Sequence, residues 1–304
     1  MNSVLTLNDL LGDRPNKGDF SYSLISQNRI SNYDIYYFRV NLLNNEDVIV
    51  QLTMPIFKDL TASIPLVLCQ HSHGGNYTLG KREIIESNHY LQPKSYAEEL
   101  SKLGCATISI DARGFGTRHQ FTESELVKEA LLYGQTLWGL MLYDLQYLLD
   151  FIQVMDLINP SQIGALGMSM GGLMSWWLAA IDERIEWVVD IGSQLHLETL
   201  VEQKKLNKHG HYYYVPRLLR YFTTEQIQAK IVPRARLTLV GNQDGNCPIE
   251  GVHFLHQYLE RIYANEQAIQ NWDTFIDAGG HEETPGMRKK WIEFVKHQIG
   301  NNKT

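Results

Sequence analysis

Cysteine is scarce in this chain, with three residues in 304. So small and odd a number argues against a disulfide framework. Cys69 and Cys105 fall inside strand-like apolar runs and read as buried free thiols of a reducing compartment. Long hydrophobic runs are missing too. None approaches the roughly 20 residues that cross a bilayer, so no membrane partner is expected. The stretch from Met1 to Asp9 has neither the basic start nor the apolar middle of an export signal, and the expected location is cytoplasmic. Nor is there an excess of positive charge. Lys and Arg number 27 against 34 Asp and Glu, a net charge of −7, which argues against nucleic acid as a partner. No Pro/Gly/Ser-rich linker, low-complexity tract or internal repeat divides the chain. A single domain over residues 1–304, carrying an insertion at 195–233, is therefore expected. Whether copies of the chain assemble is left open.

What is present is an alternation of strands and helices. After a polar lead-in to about Ser31, Tyr33 to Leu42 and Asp47 to Met54 read as a hairpin joined through Asn44-Asn45-Glu46. Pro65 to Gln70 and Cys105 to Ile110 are continuous apolar runs, as expected of strands buried on both faces. A helix from Lys94 to Leu103 separates them. A long helical stretch runs from Glu123 to about Asp156, with Gly134 and Gly139 as break points, and the strand Ile163 to Leu166 follows. Further on come a helix to Ala180, strands at Ile185 to Ile191, Leu237 to Val240 and Asp273 to Ile276, and helices from Glu250 to Tyr263 and Pro285 to Gln298. This order predicts a mostly parallel, doubly wound sheet with helices on both faces. Ligand sites then belong at the carboxyl ends of the strands.

The stretch Ile163 to Gly172 concentrates the chemistry. An apolar run stops at Gly167, Ser169 stands between Gly167 and Gly171, and a helix-forming segment starts at once. This is a G-x-S-x-G turn between strand and helix, which lifts a serine hydroxyl above the sheet edge as a nucleophile. A serine needs a base, and the base needs an acid to fix its tautomer. His281 follows the last strand in Ala278-Gly279-Gly280-His281, and Asp244 follows the strand before it. Asp190, Asp273 and Asp277 are rival acids, Asp190 the most serious. Oxyanion donors are expected from the backbone amide of Met170 and from that of His73 in His71-Ser72-His73-Gly74-Gly75. The H-x-H pair could instead hold a metal, but no carboxylate or thiol stands at a recognisable spacing from it, and none is expected. Asp111 and Arg113 are expected to tie their glycine-rich loop together, with Arg113 also a candidate for substrate binding. The excursion from Leu195 to Pro233 reads as a lid, with Tyr212, Tyr213 and Tyr214 the candidates for its underside, Tyr213 the candidate for substrate binding and ordinary aromatic packing the alternative, and Trp176 and Trp177 read as core.

These motifs resemble the α/β-hydrolase superfamily, and within it the dienelactone-hydrolase and acetyl-xylan-esterase-like branch. The resemblance runs from about Pro65 to the C-terminus. It rests on His71 to Gly75 with Leu79-Gly80-Lys81, Asp111 to Gly116, Gly134 to Gly139 leading to Asp144, Ile163 to Gly172, Ile231 to Arg234, Gly241 to Asp244, and Gly279-Gly280-His281. It implies a cofactor-free esterase acting on a small-molecule ester, with Ser169, Asp244 and His281 as its triad. Members of the branch with a thiol nucleophile carry Cys where this chain has Ser169, which points to carboxylic esters rather than enol lactones. Three other readings stand beside it: a serine peptidase acting on small peptides, a ligand-binding protein that keeps the fold without catalysis, and acyl transfer to an alcohol or thiol other than water.

Overall fold

Residues alternate along the central strands in a way that explains their uninterrupted apolar sequence. In the strand Ile64–Gln70, Leu66 and Leu68 join one hydrophobic cluster while Val67 and Cys69 join another. Successive side chains point to opposite faces, so a strand covered on both faces has no polar phase. The same holds for Ala165 and Leu166 further along. The computed structural model describes residues 5–15, 21–30, 32–41, 46–56, 63–155 and 158–301.

The strands are β1 (Tyr22–Ile30), β2 (Tyr33–Asn41), β3 (Asp47–Pro55), β4 (Ile64–Gln70), β5 (Ala106–Ile110), β6 (Ile158–Met168), β7 (Trp187–Ile191), β8 (Ala235–Gly241) and β9 (Trp272–Asp277). They form one sheet in the order β1-β2-β3-β5-β4-β6-β7-β8-β9. The pairs from β5 to β9 are all parallel, and β1, β2 and β3 extend the sheet antiparallel. The helices are α1 (Leu7–Leu11), α2 (Glu83–Glu86), α3 (Tyr96–Lys102), α4 (Glu123–Leu132), α5 (Leu137–Ile152), α6 (Met170–Ile181), α7 (Leu197–Glu202), α8 (Leu218–Tyr221), α9 (Thr224–Gln228), α10 (Ile249–Asn265) and α11 (Pro285–Asn301). Apolar residues of α1, α5 and α6 cover one face, and those of α3 and α11 the other. No described helix is long and apolar enough to cross a membrane.

The expected strands and helices are present, with two differences. The polar lead-in contains α1 and β1. The burial of β1 reads exposed at eight of nine positions, so the strand has no apolar phase to reveal it. The long helical stretch breaks at Gly134, which adopts φ +69°, and not at Gly139. Gly139 lies in the first turn of α5, where a Cβ would stand 2.3 Å from the Leu11 carbonyl oxygen, so its role is close approach of α1. Thr136 caps α5 by accepting the Gly139 N–H at 2.9 Å. Ser31, Leu42, the turn Asn44-Asn45 and the helix limit Asp156 lie outside the described residues. Cys69, Cys105 and Cys247 are buried and free, and Trp176 and Trp177 are core residues, both fully buried.

Candidate active site

β6 ends at Met168, and Ser169 N-caps α6 with φ +54° and ψ −119°, a conformation that costs on the order of 1–3 kcal/mol outside glycine. The packing around it enforces that geometry. A Cβ on Gly171 would stand 2.1 Å from the Gln70 carbonyl oxygen, and one on Gly167 would stand 2.3 Å from the backbone of Gly171. Helix and strand therefore touch backbone to backbone on both sides of the serine. The Ser169 N–H donates to the Ile191 carbonyl at 2.7 Å, tying the turn to the neighbouring strand.

The loops after β8 and β9 are zipped to each other. Asn242 N–H donates to the Asp277 carbonyl at 2.8 Å, and Gln243 N–H to that of Gly279 at 2.9 Å. A Cβ on Gly241 would stand 2.2 Å from the Gly280 oxygen, so this approach needs a glycine. The result sets Asp244 and His281 side by side. His281 Nδ1 lies 2.7 Å from Asp244 Oδ2, and His281 Nε2 lies 2.7 Å from Ser169 Oγ. The Asp244 side chain is fully buried, and its other oxygen accepts the N–H groups of Asn246 at 2.8 Å and Cys247 at 3.3 Å. A carboxylate so held orients the imidazole and supports a positive charge on it.

The loop after β4 closes the site on the far side of the serine. Ala112 N–H donates to His71 Nε2 at 3.0 Å, so the ring proton of His71 sits on Nδ1 and meets the Ser72 carbonyl at 2.8 Å. His73 Nδ1 accepts the Gly75 N–H at 3.1 Å, and its ring stacks on Tyr77. Burial, with smaller contributions from His71 and His281, pushes the His73 pKa down to about 4, so the ring is neutral at pH 7. Beneath this loop the buried Glu83 accepts the Ser72 N–H at 2.9 Å and also bonds to Tyr90. A cavity of about 360 Å³ opens over Ser169, with His73, Tyr77, Tyr90, His209, Tyr212 and His281 in its wall. That volume is within the range of small-ligand sites.

Residues 65–218 match the family described as alpha/beta hydrolase fold. The chain is also 39% identical over 287 residues, 94% of its length and 95% of the relative's, to a Bacillus subtilis (strain 168) protein named "Putative hydrolase YtaP". It belongs to the α/β-hydrolase fold family. Two solved structures show how widely this α/β-hydrolase fold is shared. The glucuronoyl esterase from Solibacter usitatus superposes with a TM-score of 0.69 at 14% identity, covering 95% of this chain and 88% of that one. Acetyl xylan esterase 1 from Thermoanaerobacterium sp. JW/SL YS485 gives 0.61 at 18% identity, covering 97% and 99%.

Several expected site residues of this α/β-hydrolase sit elsewhere. Arg113 does not reach the cavity over Ser169, and it does not pair with Asp111. Its guanidinium grips Asp144 through two bonds of 3.0 and 2.9 Å, and Arg118 holds the same carboxylate at 2.7 Å. Asp111 pairs with the buried Lys81 instead and accepts the Thr117 N–H at 2.9 Å. Tyr213 also faces away from the cavity. Its hydroxyl accepts the Trp177 indole N–H at 3.3 Å, and its ring packs edge-on against Trp138, so Tyr212 is the member of the Tyr triplet that lines the cavity. A tyrosine triplet has no periodicity to show which ring turns inward. Among the rival acids, Asp190 is occupied by Arg236 at 2.8 Å, Ser193 at 2.9 Å and Thr238 at 2.9 Å, all within the core. Asp273 is exposed beside Lys290. His209 was not anticipated, being one of 11 histidines in a segment without a motif.

The two loop histidines each spend a ring nitrogen on a backbone N–H, and no described carboxylate or thiol completes a metal set with them. Ligand-like spacing occurs at His196, Glu198 and Glu225, where the imidazole Nε2 lies 3.2 and 3.6 Å from the two carboxylates. Those residues join the two ends of the 195–233 segment and do not line the cavity.

Proposed function

We propose that this chain hydrolyses a carboxylic ester with a small, acetyl-type acyl group through an acyl-enzyme on Ser169. One observation carries the reading: His281 stands within 2.7 Å of both the Ser169 hydroxyl and the Asp244 carboxylate. In this mechanism Ser169 Oγ attacks the ester carbonyl carbon as its proton passes to His281 Nε2. The tetrahedral intermediate collapses, the C–O bond to the alcohol breaks, and the imidazolium returns the proton to the leaving oxygen. Water then attacks the acyl-serine, giving its proton to His281, and the acid departs as Ser169 Oγ is reprotonated. Asp244 holds the imidazole in the tautomer this requires and supports its charge.

The oxyanion is assigned to the backbone N–H groups of Met170 and His73. Met170 is the first residue of α6, where helix N–H groups have no intrahelical acceptor. Among the described residues neither amide donates to another protein group, which supports their availability to substrate. The cavity size and the folds shared with esterases favour a small ester, with residues 195–233 as a lid within a single domain. The test is Ser169→Ala with a short p-nitrophenyl ester, where kcat is expected to fall on the order of 10⁶-fold. Unchanged turnover would remove the proposal, and faster cleavage of a matched peptide anilide than of the ester would move it to the peptidase reading.

A further inference from the structure

His209 belongs to the 195–233 segment, yet in the cavity wall its ring meets the loop that carries Asp244. His209 Nε2 lies 3.0 Å from the Asn246 carbonyl oxygen. The N–H of that same residue, Asn246, donates to Asp244 Oδ1 at 2.8 Å, and Asp244 Oδ2 meets His281. A carbonyl only accepts, so the Nε2 proton of His209 is the donor. Burial holds the His209 pKa below its ordinary value, so a neutral ring has one proton, and this bond uses it.

Both sides of this bridge are informative. On the acid's side the bonds of Asn242 and Gln243 to the β9 loop, and of Asp244 N–H to the Gly241 carbonyl at 3.1 Å, hold the start of the loop, while past Asp244 its carboxylate is met by Asn246 N–H and by the longer Cys247 N–H at 3.3 Å. On the segment's side His209 is braced. Its ring lies 6.2 Å from that of Tyr213, whose hydroxyl is fixed by the Trp177 indole. Trp177 is on α6, the helix that begins at Ser169. Contacts therefore run from α6 through Tyr213, His209 and Asn246 to Asp244, and return through His281 to Ser169.

We infer that His209 is a positioning residue for Asp244, so that correct seating of the 195–233 segment completes the acid–base pair. The inference rests on the role proposed above for Asp244. It makes the segment part of the machinery that aligns the reacting groups, in addition to a cover over them. A carboxylate displaced by as little as 1 Å is enough to cost about 10²-fold in rate.

The experiment compares wild type with His209→Ala and His209→Gln, using a short p-nitrophenyl ester, a fluorophosphonate probe of Ser169 and thermal melting. His209→Ala should lower kcat about ten- to a hundredfold with little change in KM, slow the fluorophosphonate reaction in parallel, and melt as a folded protein. His209→Gln, whose amide can donate to the same carbonyl, should recover most of the loss. A raised KM with unchanged kcat in His209→Ala would overturn the inference, because His209 would then be touching substrate. Failure of His209→Gln to recover activity despite normal melting would overturn it equally. Wild type that does not react with the probe at Ser169 would instead remove the ester-hydrolase proposal itself.

Discussion

At the scale of single residues, the histidines show how burial decides what a side chain can do. His73 keeps a neutral ring because its pKa is pushed down to about 4, against an ordinary value of 6.5. Between those two values the unfolded chain binds a proton at this site and the folded chain does not. Stability is therefore complete above pH 6.5 and declines as pH falls from there to about 4. Urea midpoints measured across that window should fall with acidification, and His73→Gln should flatten the slope. An unchanged slope would mean the ring titrates normally. The placement of Ser169, Asp244 and His281 just past strand ends was legible in the sequence, because the strand-like run before each closes at a glycine, Gly167, Gly241 and Gly279. His209 was not, since its partner is a backbone carbonyl 37 residues away and a carbonyl has no signature. Arg113 was misread for a related reason. Local sequence offered it Asp111 two positions away, whereas the fold brings it Asp144 from α5.

At the scale of elements, the pairing of Arg113 and Arg118 with Asp144 fastens the loop after β5 to α5. Asp144 is buried, and burial by itself would raise its pKa, but the two guanidiniums outweigh that and hold it below the ordinary carboxylate range. The interaction contributes fully above the unfolded carboxylate pKa and is lost only as pH falls through the lower folded value. Asp144→Asn removes the buried charge the two arginines share while Glu46 stays beside them, 3.3 Å from Arg113 and 2.9 Å from Arg118, and should cost about 2–3 kcal/mol at neutral pH, read from urea unfolding. The difference between variant and wild type should shrink in strong acid. Of the two glycines that the sequence offers as break points, Gly134 is the one that precedes α5, in a left-handed conformation, and Thr136 then caps the helix. β1 went unread because an edge strand exposed along nearly its whole length carries no alternation.

At the scale of the whole molecule, the 195–233 segment is continuous with the main core. Leu197, Leu200, Tyr212, Tyr213, Val215, Leu218 and Ile227 belong to the same hydrophobic cluster as α5, α6 and the central strands. Loss in urea of the hydrolytic activity proposed above and loss of tryptophan fluorescence from the buried Trp176 and Trp177 should therefore follow one transition. Activity lost at distinctly lower urea would show the segment unfolding on its own. The lid reading in the sequence rested on a long excursion between strands, and sequence could not show how deeply its aromatic residues enter the core. The segment also leaves and rejoins the body at one spot: Leu197 N–H donates to Thr224 Oγ1 at 3.1 Å, and Glu198 accepts the Thr224 N–H at 3.1 Å. A stretch whose stems are stapled together can be lengthened, shortened or grafted from a relative without rethreading β7 or β8, since closing a longer loop costs little. Exchange at that junction, with the core side chains matched and a donor for the Asn246 carbonyl kept, therefore tests the roles proposed for the segment.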